Sequence, residues 1–152
     1  DKIFTPVYYL LCIAWAVLIP LDAVRFRWSS VPLFLQIIGA IILLGSFFFM
    51  ALTYRENSFL SPTIRIQQER GQMVISSGPY HYVRHPMYAS ALPFFVGTPL
   101  LLGSWYGLLF ALVAVAGMAM RAVMEERMLR EELPGYDAYM GQVKYRFIPY
   151  IW

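Results

Sequence analysis

The chain has 152 residues, of which 59% are apolar, 17% aromatic and only 14% charged, and its formal net charge is +3. A soluble globular domain carries roughly 25% charged residues and about 45–50% apolar residues. This composition excludes a disordered chain and a nucleic-acid-binding module, and the single cysteine excludes a disulfide-stapled secreted domain.

Three long runs without Asp, Glu, Lys or Arg predict an integral membrane protein. The runs cover residues 3–21, 28–54 and 85–120. About 20 apolar residues cross a bilayer as a helix, so the first two runs predict one span each, at 4–21 and 31–54. The third run would extend about 54 Å as one helix, against a hydrocarbon core of roughly 30 Å, and it is therefore too long for a single span.

Gly103-Ser104 lies near the middle of the third run and predicts a tight turn between two short spans, at 87–102 and 105–123. We therefore predict an all-α integral membrane protein with four transmembrane helices, the last two of which form a helical hairpin. The whole chain is expected to be a single membrane domain, with a cytoplasmic loop at 55–86 and a cytoplasmic C-terminal helix or segment at 124–152.

The distribution of basic residues predicts the orientation. With four spans, ten of the twelve Lys and Arg residues fall on one face, which the positive-inside rule makes cytoplasmic. We therefore expect a multi-pass protein of a bacterial or archaeal inner membrane, with its site on the cytoplasmic face. The positive net charge then reflects topology and attraction to the lipid bilayer, and no nucleic-acid partner is expected.

The end of the long loop carries a concentrated polar motif. Gly78-Pro79 is a turn signal, and the residue before a proline favours an extended backbone, which predicts an extended His85 at the mouth of the third span. Pro86 then suits the first position of a helix. The geometry would direct Arg84, His85 and Tyr88 towards a helix N-terminus, which favours an anion. The alternative is an interfacial aromatic belt with Arg84 and His85 facing lipid head groups.

A second charged segment follows the fourth predicted span. Glu125 continues the helical stripe that contains Met118 and Arg121, and an acid on a packed face at the membrane boundary is a functional candidate. Glu126 and Arg130 are four residues apart and could pair along the helix. Residues 127–132 are expected to be a solvated extension of the helix.

Several motifs of other enzyme classes are missing from the sequence. No G-x-G-x-x-G follows a strand pattern, no H-E-x-x-H or Cys/His cluster offers metal ligands, and no G-x-S-x-G elbow occurs. We therefore expect neither a soluble dinucleotide-binding fold nor a metal centre.

A set of motifs in the second half of the chain resembles the isoprenylcysteine carboxyl methyltransferase family. Its wider superfamily includes phospholipid N-methyltransferases and small-thiol methyltransferases. The motifs are Gly78-Pro79-Tyr80, Arg84-His85-Pro86-Met87-Tyr88, the apolar hairpin, Glu125-Glu126, Gly135-Tyr136-x-x-Tyr139 and Arg146-x-x-Pro149. The resemblance covers about half of the chain, from near Ser76 onward.

The resemblance implies an S-adenosylmethionine-dependent methyltransferase whose cofactor lies at the cytoplasmic face, with S-adenosylhomocysteine as product and no metal. His85, Pro86 and Tyr88 would then line the cofactor pocket. Arg146 and Glu125 are the implied catalytic residues. The other implied cofactor contacts are Tyr80 and Arg84 on the approach, Glu125 and Glu126 on polar groups, and Tyr136 and Tyr139, which together with Arg146 close the site.

The acceptor is expected to be apolar or lipid-borne, with a carboxylate most like the family. An amine or a thiol acceptor, as in the related phospholipid and small-thiol enzymes, is the alternative. Gln142 departs from the family pattern, which commonly has a basic residue at this position, and glutamine keeps hydrogen bonding but lacks the fixed charge. A different class of function, a non-catalytic membrane scaffold that keeps the fold, is also compatible with these residues.

Overall fold

The computed structural model describes residues 4–61 and 65–152, and within these ranges the chain is helical and contains no strand. A π-helical turn at Leu21–Phe26 follows the first helix, and 3₁₀ turns lie at Gln68–Arg70 and Gly78–His81. The predicted all-α class is confirmed for these residues. Their α-helices are α1, Phe4–Pro20; α2, Leu33–Glu56; α3, Pro86–Leu102; α4, Trp105–Glu132; and α5, Tyr136–Gln142.

Three helical stretches of the described chain are long and apolar enough to cross a membrane, judged by length and composition. These are Phe4–Phe26, Leu33–Glu56 and Trp105–Glu132. Helix α3 is apolar but shorter, at 17 residues. The helix bounds lie within two residues of the predicted spans, except that α4 continues beyond 123 to Glu132 as the predicted C-terminal extension.

One compact unit combines the chain up to Phe47 with Ala91–Met118. Its core brings Trp15 and Ile19 of α1 together with aromatic and small side chains of α3 and α4. The Trp15 indole donates to the Gly107 carbonyl at 2.8 Å. A Cβ atom on Gly107 would lie 2.5 Å from the Ile19 side chain, so α1 approaches α4 closely because this position has no side chain.

Asp22 anchors the turn between α3 and α4 within this unit. The side chain is fully buried, and its Oδ2 accepts hydrogen bonds from the Ser29 and Ser104 hydroxyls at 2.6 and 2.5 Å. Gly103 adopts a φ of +85°, which other residues rarely adopt. The turn predicted at Gly103-Ser104 is therefore confirmed.

The other compact unit combines Phe48–Ser90 with Ala119–Trp152. Its apolar core joins the end of α4 to α5 through Leu129, Leu133, Tyr136, Tyr139 and Val143. Gly135, at a φ of +87°, follows Pro134 and allows the chain to reverse between these helices. This reversal packs the two tyrosines of α5 against Leu129 and Leu133, and it places them beside the polar residues described next.

Candidate active site

A cavity of about 130 Å³ lies within the second unit. A cavity needs roughly 10–15 Å³ to hold one water molecule, so this cavity can hold a much larger group. Apolar side chains such as Phe59, Met87 and Leu129 line part of its wall. The polar residues that line it are Asn57, Ser61, Arg65, Gln72, Tyr80, Arg84, His85, Tyr88, Glu125, Tyr136 and Tyr139.

The Gly-Pro turn and the start of α3 position the motif residues at this cavity. Gly78 begins the 3₁₀ turn at a φ of +55°, and Pro86 is the first residue of α3, as both were predicted. Between them, the backbone amides of Arg84 and His85 donate to the carbonyls of Tyr145 and Arg146, both at 2.9 Å. The two residues before Pro86 are therefore held by the C-terminal segment.

The carboxylate of Glu126 binds three basic side chains. Its Oε1 accepts from Arg84 Nε at 2.7 Å and lies 3.2 Å from His85 Nε2, while its Oε2 accepts from Arg146 Nε at 2.8 Å. A carboxylate only accepts hydrogen bonds, so the Nε2 nitrogen of His85 carries the proton in this contact. Both oxygens of Glu126 are thus occupied by protein groups.

Arg84 is also bound by the backbone of the C-terminal segment. Its Nη1 donates to the Val143 and Lys144 carbonyls at 2.9 and 2.7 Å. The expected pairing of Glu126 with Arg130 is wrong, because Arg130 pairs with Asp137 at 2.8 Å on the exposed surface. The structure therefore uses Glu126 and Arg84 to fasten α4 to the start of α3 and to the chain after α5.

Glu125, the neighbouring acid, has a different environment because it lines the cavity. The Tyr88 hydroxyl donates to its Oε2 at 2.7 Å, and Arg121 Nε donates to the Tyr88 oxygen at 3.0 Å. Tyr88 therefore stands between the cation and the acid. Among the described residues, no group binds the second carboxylate oxygen of Glu125, which is left for a ligand.

Three tyrosine hydroxyls at the cavity have three different hydrogen-bonding states. The Tyr139 hydroxyl donates to the backbone carbonyl of Tyr80 at 2.7 Å, and the Tyr80 hydroxyl accepts from Asn57 Nδ2 at 2.8 Å. The Tyr136 hydroxyl is buried and has no hydrogen-bond partner among the described residues. A buried unpaired hydroxyl is costly, so Tyr136 has an unused capacity that a ligand could satisfy.

Burial keeps these phenols protonated. It raises the pKa of Tyr80 from 10 to about 12, partly offset by the hydrogen bond from Asn57. Burial likewise raises the pKa of Tyr136 and of Tyr139, to which nearby negative groups add. At neutral pH the three groups are therefore uncharged hydroxyls that can donate a proton in a hydrogen bond.

Glu125 is the one acid among the described residues that line the cavity. Of the two arginines that line it, Arg84 is paired with Glu126, and Arg65 is largely exposed and lies 3.7 Å from Glu69. Glu125, by contrast, receives a neutral phenol directly rather than a cation. The cavity therefore favours a ligand that carries a positive charge near Glu125.

Not every residue expected at the site lines the cavity. Tyr80, Arg84, His85, Tyr88, Glu125, Tyr136 and Tyr139 line it. Pro86, Glu126 and Arg146 do not; they support residues that line it. Gln142, where the family commonly has a basic residue, is exposed on the last turn of α5.

The connection after α2 contributes lining residues that the sequence reasoning missed. Asn57, Arg65 and Gln72 belong to no recognisable motif. The described residues on either side of 62–64 are joined by Gln67, whose side chain donates to the Phe59 carbonyl at 2.5 Å and accepts from Arg70 at 2.6 Å. The only sequence signal was the density of amide side chains between 67 and 72.

Comparisons with known proteins bear on the family and the fold of the chain. A family model described as phospholipid methyltransferase matches residues 34–134. None of the curated proteins compared with the chain matches it.

One of the solved structures similar to this chain is the eukaryotic intramembrane Ras methyltransferase, isoprenylcysteine carboxyl methyltransferase. It superposes with a TM-score of 0.75 at 21% identity, over 96% of this chain and 53% of that one. This likeness shows the shared fold. The chain spans about half the length of that protein. The resemblance stated from the motifs is thereby confirmed.

Proposed function

Because the chain belongs to the phospholipid methyltransferase family, we propose that it is a membrane methyltransferase that binds S-adenosylmethionine in the cavity of the second unit. The acceptor is an apolar or lipid-borne molecule. The cavity faces the cytoplasm, and the chain crosses the membrane four times as one domain, which the distribution of basic residues supports.

The observation that carries the proposal is the carboxylate of Glu125. It lines the cavity with one oxygen held by Tyr88 and the other unused by the described residues. S-adenosylmethionine carries a positive sulfonium and an ammonium group, and both suit a carboxylate beside aromatic rings. The unpaired hydroxyl of Tyr136 offers a further contact for a ligand with several polar groups.

The residues divide into those that would contact the cofactor and those that would position the contacting residues. We assign direct contact to the lining residues Tyr80, His85, Tyr88, Glu125 and Tyr136. Glu126 acts as a positioning residue because it does not line the cavity and binds Arg84, and Tyr139 does so because its hydroxyl holds the backbone of Tyr80. Arg84 lines the cavity, but its Nε binds Glu126 and its Nη1 binds two backbone carbonyls, so we also assign it a positioning role. Pro86 positions its neighbours by beginning helix α3.

The chain would contribute positioning and exclusion of water to the reaction. When bound, S-adenosylmethionine would supply a methyl group activated by its sulfonium: the bond from the acceptor's lone pair to the methyl carbon would form as the carbon–sulfur bond breaks, which would leave S-adenosylhomocysteine as the neutral thioether. Glu125 and the buried phenols would fix the donor relative to the acceptor, which is the main contribution that such a displacement needs. The apolar wall, including Met87 and Leu129, would exclude water from the reacting atoms.

Two acceptor classes are candidates, and the placement of charged side chains supports each in a different way. A carboxylate acceptor calls for a cation, and Arg146 is the candidate, because it shares the single negative charge of Glu126 with Arg84. Its side chain is about one quarter exposed and stacks on Trp152 at 4.8 Å. Gln142 carries no charge and is exposed. An amine acceptor is the second candidate, favoured because the cavity's own unneutralised charge is the negative one of Glu125.

A labelled-methyl transfer assay tests this proposal. The purified protein is incubated with methyl-labelled S-adenosylmethionine and a membrane lipid extract, with Glu125→Gln as the matched control. We expect label in the lipid fraction with the wild-type protein and a loss of tenfold or more with the variant. A wild-type protein that binds the donor but transfers no label to any acceptor fraction would support the scaffold alternative instead.

A further inference from the structure

We propose that Asn57 holds the hydroxyl of Tyr80 as a hydrogen-bond donor directed into the cavity, which makes Asn57 a positioning residue of the site. This inference rests on the proposed function, because it assigns the hydrogen bond donated by the Tyr80 hydroxyl to the methyl donor, S-adenosylmethionine. Both residues line the cavity, and the two side chains are joined at 2.8 Å.

The orientation of the Asn57 amide is fixed by its other contact. The backbone N–H of Phe59 donates to Asn57 Oδ1 at 2.9 Å. A backbone amide can only donate, so the oxygen of the Asn57 side chain must face Phe59. The nitrogen therefore faces Tyr80, and the direction of the Asn57–Tyr80 hydrogen bond does not depend on an arbitrary choice of amide rotamer.

The Tyr80 hydroxyl can accept a hydrogen bond through its oxygen and can donate one through its single proton. Asn57 Nδ2 donates to the phenolic oxygen, so the proton of that hydroxyl must point to another acceptor. No described residue accepts it. The Tyr139 hydroxyl donates to the backbone carbonyl of Tyr80, which holds the residue in place without using its side chain. The proton is therefore available to a ligand in the cavity that both residues line.

The expected ligand group at this wall is an acceptor atom. The Tyr80 hydroxyl, held by Asn57, presents a hydrogen-bond donor to the cavity, whereas the Glu125 carboxylate presents an acceptor. A ligand with a hydroxyl, carboxylate or ring nitrogen at one position and a cationic group at another would satisfy both, and S-adenosylmethionine has such groups. The pair therefore contributes to the selection of the donor molecule as well as to its affinity.

Two substitutions at position 57 separate positioning from a purely structural role. In Asn57→Asp, one oxygen still accepts from Phe59, but the other now accepts the proton of Tyr80 and removes it from the cavity. In Asn57→Ala, the Phe59 contact is lost while Tyr80 remains free to donate. If Asn57 positions the Tyr80 hydroxyl, Asn57→Asp should weaken the binding of S-adenosylmethionine about tenfold and Asn57→Ala about two- to threefold. A structural role predicts the reverse order.

The experiment is isothermal titration of the detergent-purified full chain with S-adenosylmethionine, combined with Tyr80→Phe in a double-mutant cycle. We expect Asn57→Asp to have no further effect on affinity once Tyr80 lacks its hydroxyl. A loss that persists in the Tyr80→Phe background would instead come from the added negative charge and would overturn the inference. So would an Asp variant that binds as tightly as wild type, or more tightly than the Ala variant.

The wild-type titration separates this inference from the proposed function. Wild-type protein that binds the donor while the order of the two variants is reversed leaves the proposed function intact and overturns the role of Asn57. Wild-type protein that does not bind overturns both. Thermal unfolding of the same samples should show Asn57→Ala as the less stable variant, because Asp keeps the hydrogen bond from Phe59.

Discussion

Arg84 Nε and Glu126 Oε1 lie 2.7 Å apart, and each side chain is about 5% exposed or less. The ion pair joins Arg84, two residues before α3, to Glu126 in the charged C-terminal part of α4. Since Glu126 also binds His85 and Arg146, one buried carboxylate organises three segments of the second unit. Its neighbour Glu125 is left to face the cavity.

The Glu126→Gln substitution should destabilise the second unit strongly. It removes a buried negative charge and leaves Arg84 without its counterion, and breaking one side of a buried pair costs about 3–5 kcal/mol. We expect a clear fall in the thermal unfolding midpoint in detergent. Arg130→Gln is the matched control, because it breaks an ion pair that is more than half exposed and should leave the midpoint nearly unchanged. Equal midpoints for the two variants would contradict the structural role of Glu126.

The Glu125→Gln substitution should weaken cofactor binding with little effect on stability. The amide keeps an acceptor for Tyr88 but removes the charge that faces the cavity. Charge-assisted hydrogen bonds contribute about 1.5–3 kcal/mol, so we expect at least a tenfold rise in Kd for S-adenosylmethionine. S-adenosylhomocysteine lacks the sulfonium charge but keeps the ammonium group. An equal loss for both ligands would locate Glu125 at the ammonium, and a loss for the first alone would locate it at the sulfonium.

The pair Tyr136→Phe and Tyr139→Phe should have opposite effects on stability. Tyr136 has a buried hydroxyl without a partner among the described residues, so its removal should leave stability unchanged or raise it while donor binding falls. The Tyr139 hydroxyl donates to the Tyr80 carbonyl, so its removal should cost about 0.5–1.5 kcal/mol of unfolding free energy. Urea unfolding and donor titration of both variants test this. Tyr136→Phe with normal donor affinity would exclude this hydroxyl from the site.

The local turns of this chain could be predicted because glycine and proline restrict the backbone directly. Gly78-Pro79, Pro86 and Gly103-Ser104 each determine a turn or a helix start from their own covalent geometry. Runs of apolar residues likewise indicated helices α1 to α4 to within two residues, except at the far end of α4.

The partners of the charged residues could not be predicted in the same way. Spacing along the helix suggested that Glu126 pairs with Arg130, but its partner Arg84 is 42 positions away in sequence. The hydrogen bond between Asn57 and Tyr80 likewise joins residues that are distant in sequence, 23 positions apart. Such contacts depend on how the chain returns on itself, and no local pattern encodes that path. The motif resemblance identified Glu126 as a site residue without indicating which groups it binds.

Stability should fall in alkaline solution as buried tyrosines ionise. Burial raises the pKa of Tyr80 from 10 to about 12, so above pH 10 the unfolded chain loses its proton before the folded chain does. The stability associated with the neutral phenol is complete below about pH 10 and is lost progressively up to about pH 12. Unfolding midpoints measured from pH 9 to 11 should therefore decline, with a shallower slope for Tyr80→Phe. Identical slopes for variant and wild type would show that Tyr80 is not buried as described.

Titration of the detergent-purified wild-type chain with S-adenosylmethionine is the most direct test of the proposed site. A saturable, one-to-one binding isotherm that is weakened at least tenfold by Glu125→Gln and preserved in Arg130→Gln is the predicted result. No detectable heat or saturation at millimolar S-adenosylmethionine, with protein that is folded by its unfolding transition, would contradict the assignment of this cavity to a methyl donor.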